Sequence, residues 1–218
     1  MASATTDSPA VMSAKPGRTD KRTAATRLAL IESAERLFAQ HGVEGISLRQ
    51  IAADAGCANT NAVAYHFGSK EALVEAVLRH RVPGLEARRG ELLAALDQPS
   101  LLALCNVLWR PFLEQVDRAG RHSYAAFLAG LFRSGALPMR AAMSSDYPVT
   151  DAVLNGISAH LPPVSAARIM ERLPLVTLLI AGALKQIDEA ARTTSDAEAR
   201  FADAVAMTAA ALAAPPTE

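Results

Sequence analysis

Apolar residues recur along most of this chain at spacings of three and four, the pattern of helices that bury one face. The spacing predicts a first helix from about Arg27 to Gln40, with Leu30, Ile31, Ala34, Leu37 and Phe38 on its inner side. Thr26 stands where an N-cap belongs and Gly42 where a stop belongs. Ser47-Leu48-Arg49-Gln50 has the form of a capping box and opens a short second helix, with Leu48, Ile51, Ala52 and Ala55 inward and Gly56 closing it. A third helix is expected over about Thr60 to Phe67, capped by Asn59, with Val63 and Phe67 inward and Gly68 at its end. Ser69 caps a fourth, running from Lys70 to about Arg81 and broken by Pro83-Gly84.

Beyond that point helical patterns fill 85–96, 100–118, 121–134, 137–145, 149–160, 164–191 and 196–213. The breaks carry Pro99, Gly120, Pro138, Pro148, Pro162-Pro163 and Thr193-Thr194-Ser195, while Pro111 and Pro174 fall inside patterns and predict kinks. No period-two run and no internal repeat is evident. The expected fold is all-α: a flexible tail over 1–22, a three-helix unit over 23–68, and a larger helical domain over 69–214 whose first segment, 69–82, connects the two.

Composition sharpens this picture. The chain has 218 residues, of which 50% are hydrophobic, enough for a substantial core, and only 5% aromatic, which favours helix on helix over a β-sandwich. Lys and Arg balance Asp and Glu at 22 each. Divided after Arg81, the front part holds ten bases and eight acids and the rest twelve and fourteen, so charge leans positive at the front. Lys15, Arg18, Lys21, Arg22 and Arg27 cluster there, either as a solvated tail or as an arm that touches phosphates or a minor groove. Cys57 and Cys105 are too few for a disulfide framework and fit a reducing compartment. The most apolar stretch, Leu173 to Leu184, is shorter than the roughly 20 residues of a membrane span. With no secretory run in its first residues, the chain is expected in the cytoplasm, with no membrane partner.

Two short helices joined through Gly56, with alanines at the crossing, describe a helix-turn-helix. Its third helix avoids acids. Asn59, Thr60 and Asn61 can hydrogen-bond base edges, and Ala62 and Ala64 can meet a thymine methyl. Tyr65, His66 and Lys70 can donate to phosphates, as can Ser47 and Arg49 at the start of the second helix.

These residues stand in an ordered block: Leu37-Phe38, His41-Gly42, Ser47-Leu48-Arg49-Gln50-Ile51-Ala52, Ala55-Gly56, and Tyr65-His66-Phe67-Gly68-Ser69-Lys70-Glu71-Ala72-Leu73. Residues 26–78 resemble the DNA-binding domain of the TetR family of bacterial transcriptional regulators. One departure is the stretch between Gly56 and Phe67, one residue longer than the commoner family spacing, which lengthens the turn near Cys57-Ala58-Asn59. The resemblance implies a sequence-specific regulator. The expected form is a homodimeric repressor that holds a pseudo-palindromic double-stranded operator and is released by a small apolar ligand, an organic effector. A regulator acting as activator, or a helical interaction module that keeps the fold without specific DNA binding, are the alternatives. No nucleophile elbow, phosphate loop or metal-ligand spacing is present in the sequence, so no enzyme activity, cofactor or metal is expected.

In the larger domain the scarce aromatics gather at Trp109, Phe112, Tyr124 and Phe127, with Leu128 and Met143. They stand either as plain core or as an apolar effector pocket with Arg110, His122 or Asn106 as orienting groups. The last two helices carry Val176, Leu179, Ile180, Phe201 and Val205, and the resemblance implies that two copies of this pair form a four-helix dimer interface.

Overall fold

The computed structural model describes residues 18–135 and 147–215. The described residues form ten α-helices: α1 Arg18–His41, α2 Leu48–Asp54, α3 Ala62–Phe67, α4 Lys70–Ala94, α5 Leu101–Glu114, α6 Ser123–Arg133, α7 Pro148–Ala159, α8 Pro163–Ala167, α9 Ile169–Ala190 and α10 Thr194–Ala213. Among them none is long and apolar enough to cross a membrane. The expected helix over 137–145 lies outside the described residues.

Several helix bounds differ from expectation, and three of the differences have a visible physical reason. First, α1 begins at Arg18, so residues 18–22 are helix and not tail. Thr26 does not cap it; its hydroxyl donates to Arg22 O, a back-bond inside the helix. Second, Pro83-Gly84 does not break α4, which continues to Ala94. A proline deletes one donor, and burial of Val82, Leu85 and Arg89 on either side of it holds the helix together. A Cβ at Gly84 would lie 3.0 Å from Gln115 Nε2, a contact that a small shift of the flexible glutamine relieves. Third, the expected 164–191 helix divides at Arg168 into α8 and α9. The Ser165 hydroxyl donates to Ala214 O at 3.1 Å and Arg172 Nη1 to Leu212 O at 2.6 Å, turning the short α8 onto the end of α10.

The core is one continuous cluster from Leu30 to Leu212. Helices α2 and α3 pack on α1 and the start of α4. The rest of α4 packs with α5 and α7, and the α9–α10 hairpin covers α5 and α6. The two parts meet where α1 lies along α6. There Phe38 stacks on Phe127, ring centroids 6.0 Å apart. Beside them Glu35, 1% exposed, accepts from Arg81 Nε at 2.7 Å, Arg81 Nη2 at 2.8 Å and the Ser123 hydroxyl at 2.6 Å. The carboxylate's hydrogen bonds push Arg81 above its ordinary value, against the opposing effect of burial. Three helices, α1, α4 and α6, are thus joined by one buried charge cluster.

Candidate nucleic-acid interface

The head of the molecule is built around α2 and α3. The capping box at α2 is present: Gln50 N donates to Ser47 Oγ at 3.3 Å and Ser47 N to Gln50 Oε1 at 2.9 Å. This reciprocal pair leaves Ser47 and Arg49 exposed at the helix start, where free backbone N–H groups and the dipole favour an anion. Gly56 turns the chain at φ +70°, a conformation costly for any residue with a Cβ. Cys57 N then closes onto Ala52 O at 2.9 Å.

The turn is longer than the pattern predicted. Asn59 does not cap α3 at Thr60; its Oδ1 accepts from Asn61 N at 2.9 Å and its carbonyl accepts from Ala62 N at 3.1 Å. This Asx-turn holds Thr60 and Asn61 in the connection, and α3 begins at Ala62. Asn59, Thr60 and Asn61 are exposed at the mouth of the helix. Ala62 is not available to a base: it is 6% exposed and packs in the core beside Val63. Ala64 faces solvent.

Tyr65 is 80% exposed, an unusual position for so large a ring. It meets His66 edge-on, centroids 5.0 Å apart. Phe67 is half-buried under the Arg27 guanidinium, 4.8 Å above its ring, so α1 braces the end of α3. Gly68 ends α3, and the Ser69 hydroxyl accepts from Ala72 N at 3.1 Å to start α4. Lys70, half-buried, follows directly. Glu71 is held below the ordinary carboxylate range, first by its own backbone N–H and then by the Ser69 hydroxyl. At the far end of α2, Asp54 accepts from both Ser33 and Arg36 of α1, which fixes α2 against α1. The arrangement places exposed polar and aromatic groups on one edge over a mainly apolar back.

The larger domain places its sequence-predicted residues differently. Trp109, Phe112, Tyr124, Phe127 and Leu128 are all buried. Their rings run in a packed series, with Phe112 and Tyr124 stacked at 5.9 Å. The cavity beside them, about 20 Å³ and bounded by Trp109, Phe112, Leu128 and Thr150, has room for one water. These aromatics are core, and Met143 lies outside the described residues. Of the expected orienting groups, Asn106 is exposed and Arg110 is bound to Glu198 at 2.5 and 2.8 Å. Both ring nitrogens of His122 face acceptors, Asp188 Oδ1 at 2.6 Å and Leu113 O at 3.0 Å. Sequence reasoning missed Arg89, 3% exposed, which donates to Leu108 O and Thr150 Oγ1 and ties α4 to α5 and α7. The i,i+3 pair Glu86–Arg89 was the only local sign of it.

The expected interface residues also need correction. Val176, Ile180, Phe201 and Val205 are buried within the chain, where α9 and α10 pack on α5 and α6, and only Leu179 is half-exposed. The large apolar residues left outside on α8–α10 are Val164, Met170, Leu175 and Met207.

Residues 30–77 match the family model for bacterial regulatory proteins, tetR family. No curated protein matches the sequence. Among solved structures, the chain is similar to the TetR family transcriptional regulator PfmR from Thermus thermophilus, at 19% identity over 84% of this chain and 96% of that one, TM-score 0.47. It is similar to a transcriptional regulator from Rhodococcus sp. Rha1 at 23% identity, 84% and 95% coverage, TM-score 0.44. It is also similar to the multidrug binding protein EbrR complexed with imidazole, at 22% identity, 88% and 96% coverage, TM-score 0.45.

Proposed function

We infer that this chain, whose residues 30–77 match the family model for bacterial regulatory proteins, tetR family, is a dimeric repressor that reads a pseudo-palindromic operator. The observation that carries the reading is the outer edge of α3. Ala64 and the 80% exposed Tyr65 project from a helix whose other side, Ala62 and Val63, is core. Exposing a tyrosine beside a histidine and a lysine has no folding benefit, and suits hydrogen bonding to phosphate oxygens. In this reading Tyr65, His66, Lys70, Ser47 and Arg49 position the head on the backbone, and Asn59, Thr60, Asn61 and Ala64 meet base edges in the major groove.

Two copies are required because one short helix reads few base pairs. The exposed Met170 and Leu175 (each 64%) and Met207 (47%) give α9 and α10 an apolar outer face for a second copy to cover. Signals between the head and the larger domain pass through two rigid links, the continuous α4 and the α1–α6 contact at Glu35, Ser123, Phe38 and Phe127. A ligand that prefers one setting of these links lowers operator affinity by its ratio of affinities for the two states, typically about 5–150-fold.

The test is fluorescence anisotropy of the purified chain on DNA flanking its own gene, at two salt concentrations with random competitor. Competitor-resistant binding that saturates at two chains per half-site pair supports the reading. Binding lost equally to random DNA across genome-derived fragments overturns it in favour of an interaction module.

A further inference from the structure

A groove of about 560 Å³ lies away from the buried aromatics, between α1, α6 and α9, within the usual range for small-ligand sites of about 300–1,000 Å³. We propose that this groove binds a small organic anion with an apolar body, and that the occupant acts on the head through Arg36.

Its floor is made by small side chains. Ala126 and Ala129 of α6 face Ala181 and Gly182 of α9, so the two helices enclose space that larger residues would fill. Leu178 adds an apolar wall.

Its polar lining holds four cations and three acids, and each acid has a partner among the described residues. Asp188 takes the His122 ring at 2.6 Å and His122 N at 3.0 Å. Asp117 takes Ala119 N at 2.8 Å and Arg121 N at 3.0 Å through Oδ1. Glu189 pairs with Lys185 at 3.7 Å. Two of the cations, Arg121 and Arg133, are held less firmly. Arg121 Nε is 3.9 Å from Asp117 Oδ2, an ion-pair separation too long for a hydrogen bond, and that oxygen makes none among the described residues. Arg133 makes no ion pair among the described residues. Guanidinium forks with unspent donors beside an alanine floor match a carboxylate or sulfonate on an apolar ring or chain.

The link to the head is Arg36. It lines the groove and also binds Asp54, the last residue of α2, which Ser33 holds as well. An anion in the groove competes with Asp54 for this guanidinium and loosens α2 against α1. That second step rests on the reading that the head binds DNA; the binding site itself does not.

The test uses the full chain and anilinonaphthalene sulfonate, a fluorescent anion on an apolar ring system. Phenylnaphthylamine, the same rings without the sulfonate, is the neutral comparison. Gly182→Phe puts a ring into the groove from an exposed position where a Cβ meets nothing within 4 Å, so the helix backbone has no clash to relieve there. Expected is saturable binding of one sulfonate per chain, weakened at least tenfold by Gly182→Phe and by the double change Arg121→Gln with Arg133→Gln. Thermal unfolding stays unaltered, and the neutral probe binds at least tenfold more weakly. Equal binding of both probes, or sulfonate binding indifferent to Gly182→Phe, overturns the site. Sulfonate binding that disappears in step with self-association in sedimentation also overturns it, making the groove a seat for a second copy. On a DNA fragment selected by the wild type, the sulfonate should weaken binding of the wild type and not of Gly182→Phe. Unchanged DNA affinity at saturation overturns the coupling alone. A chain that selects no DNA overturns the regulator reading and leaves the sulfonate result standing.

Discussion

The head and the larger domain use their surfaces in opposite ways. In the head, the candidate contacts lie close in sequence, between Ser47 and Lys70, and most of them face outward from two short helices. In the larger domain, the groups that matter come from far apart: Ser123 reaches Glu35 across 88 positions, and His122 reaches Asp188 across 66. The head presents aromatic and polar side chains to solvent, while the larger domain buries both kinds. A site that projects from one helix can be read from that helix's period. A groove between three helices depends on how those helices are set against each other.

The largest effect that would break this comparison is on stability. Glu35→Ala removes one partner of a buried, bidentate charge cluster and should lower unfolding stability by about 3–5 kcal/mol in denaturant titration. Tyr65→Ala removes more atoms, yet should change stability by no more than about 0.5 kcal/mol, because its ring is exposed. If the two substitutions cost the same, the contrast between a buried joint and a presented surface is wrong.

A smaller effect sharpens the roles within the head. Lys70→Ala should weaken binding to all DNA sequences alike and reduce the salt slope by about 1, as loss of one phosphate contact requires. A change of sequence preference at constant salt slope would place Lys70 on a base instead.

The smallest effect is chemical. Cys105 lies fully buried, and burial pushes its thiol up to about 11, only partly offset by the hydrogen bond with Thr208. Cys57 is half-buried in the α2–α3 turn. A disulfide thiol reagent at neutral pH should therefore titrate one thiol in the native chain and two after unfolding. Two reactive thiols in the native chain would mean that the α5–α10 packing opens readily.

Much of the head was legible because its signals are local. The Ser47–Gln50 capping box, the turn at Gly56 and the end of α3 at Gly68 each follow from a few adjacent residues, and each is present. The Asn59 error was local too. An asparagine before a helix can cap it or form an Asx-turn, and here the extra residue in the connection chose the turn. The larger domain was legible as helices but not as faces. Trp109, Phe112, Tyr124 and Phe127 carry no sign of whether they line a cavity or fill one. Packing α5 against α4, α7 and α10, and α6 against α1 and α9, settled that they fill one.

What the sequence determined by itself is the helical class, the helix-turn-helix and the outward setting of Ala64 and Tyr65, though not the burial of Ala62, since hydrogen bonds and side-chain periods within a helix are set by near neighbours. What only the tertiary structure decided is the continuity of α4 through Pro83, the burial of Val176, Ile180, Phe201 and Val205, and the groove bordered by Arg36, Ala126 and Gly182. Each of these depends on partners distant in the chain. A proline's lost hydrogen bond is outweighed only when both flanks are buried, and a helix with apolar residues on two sides does not itself say which side the fold will cover.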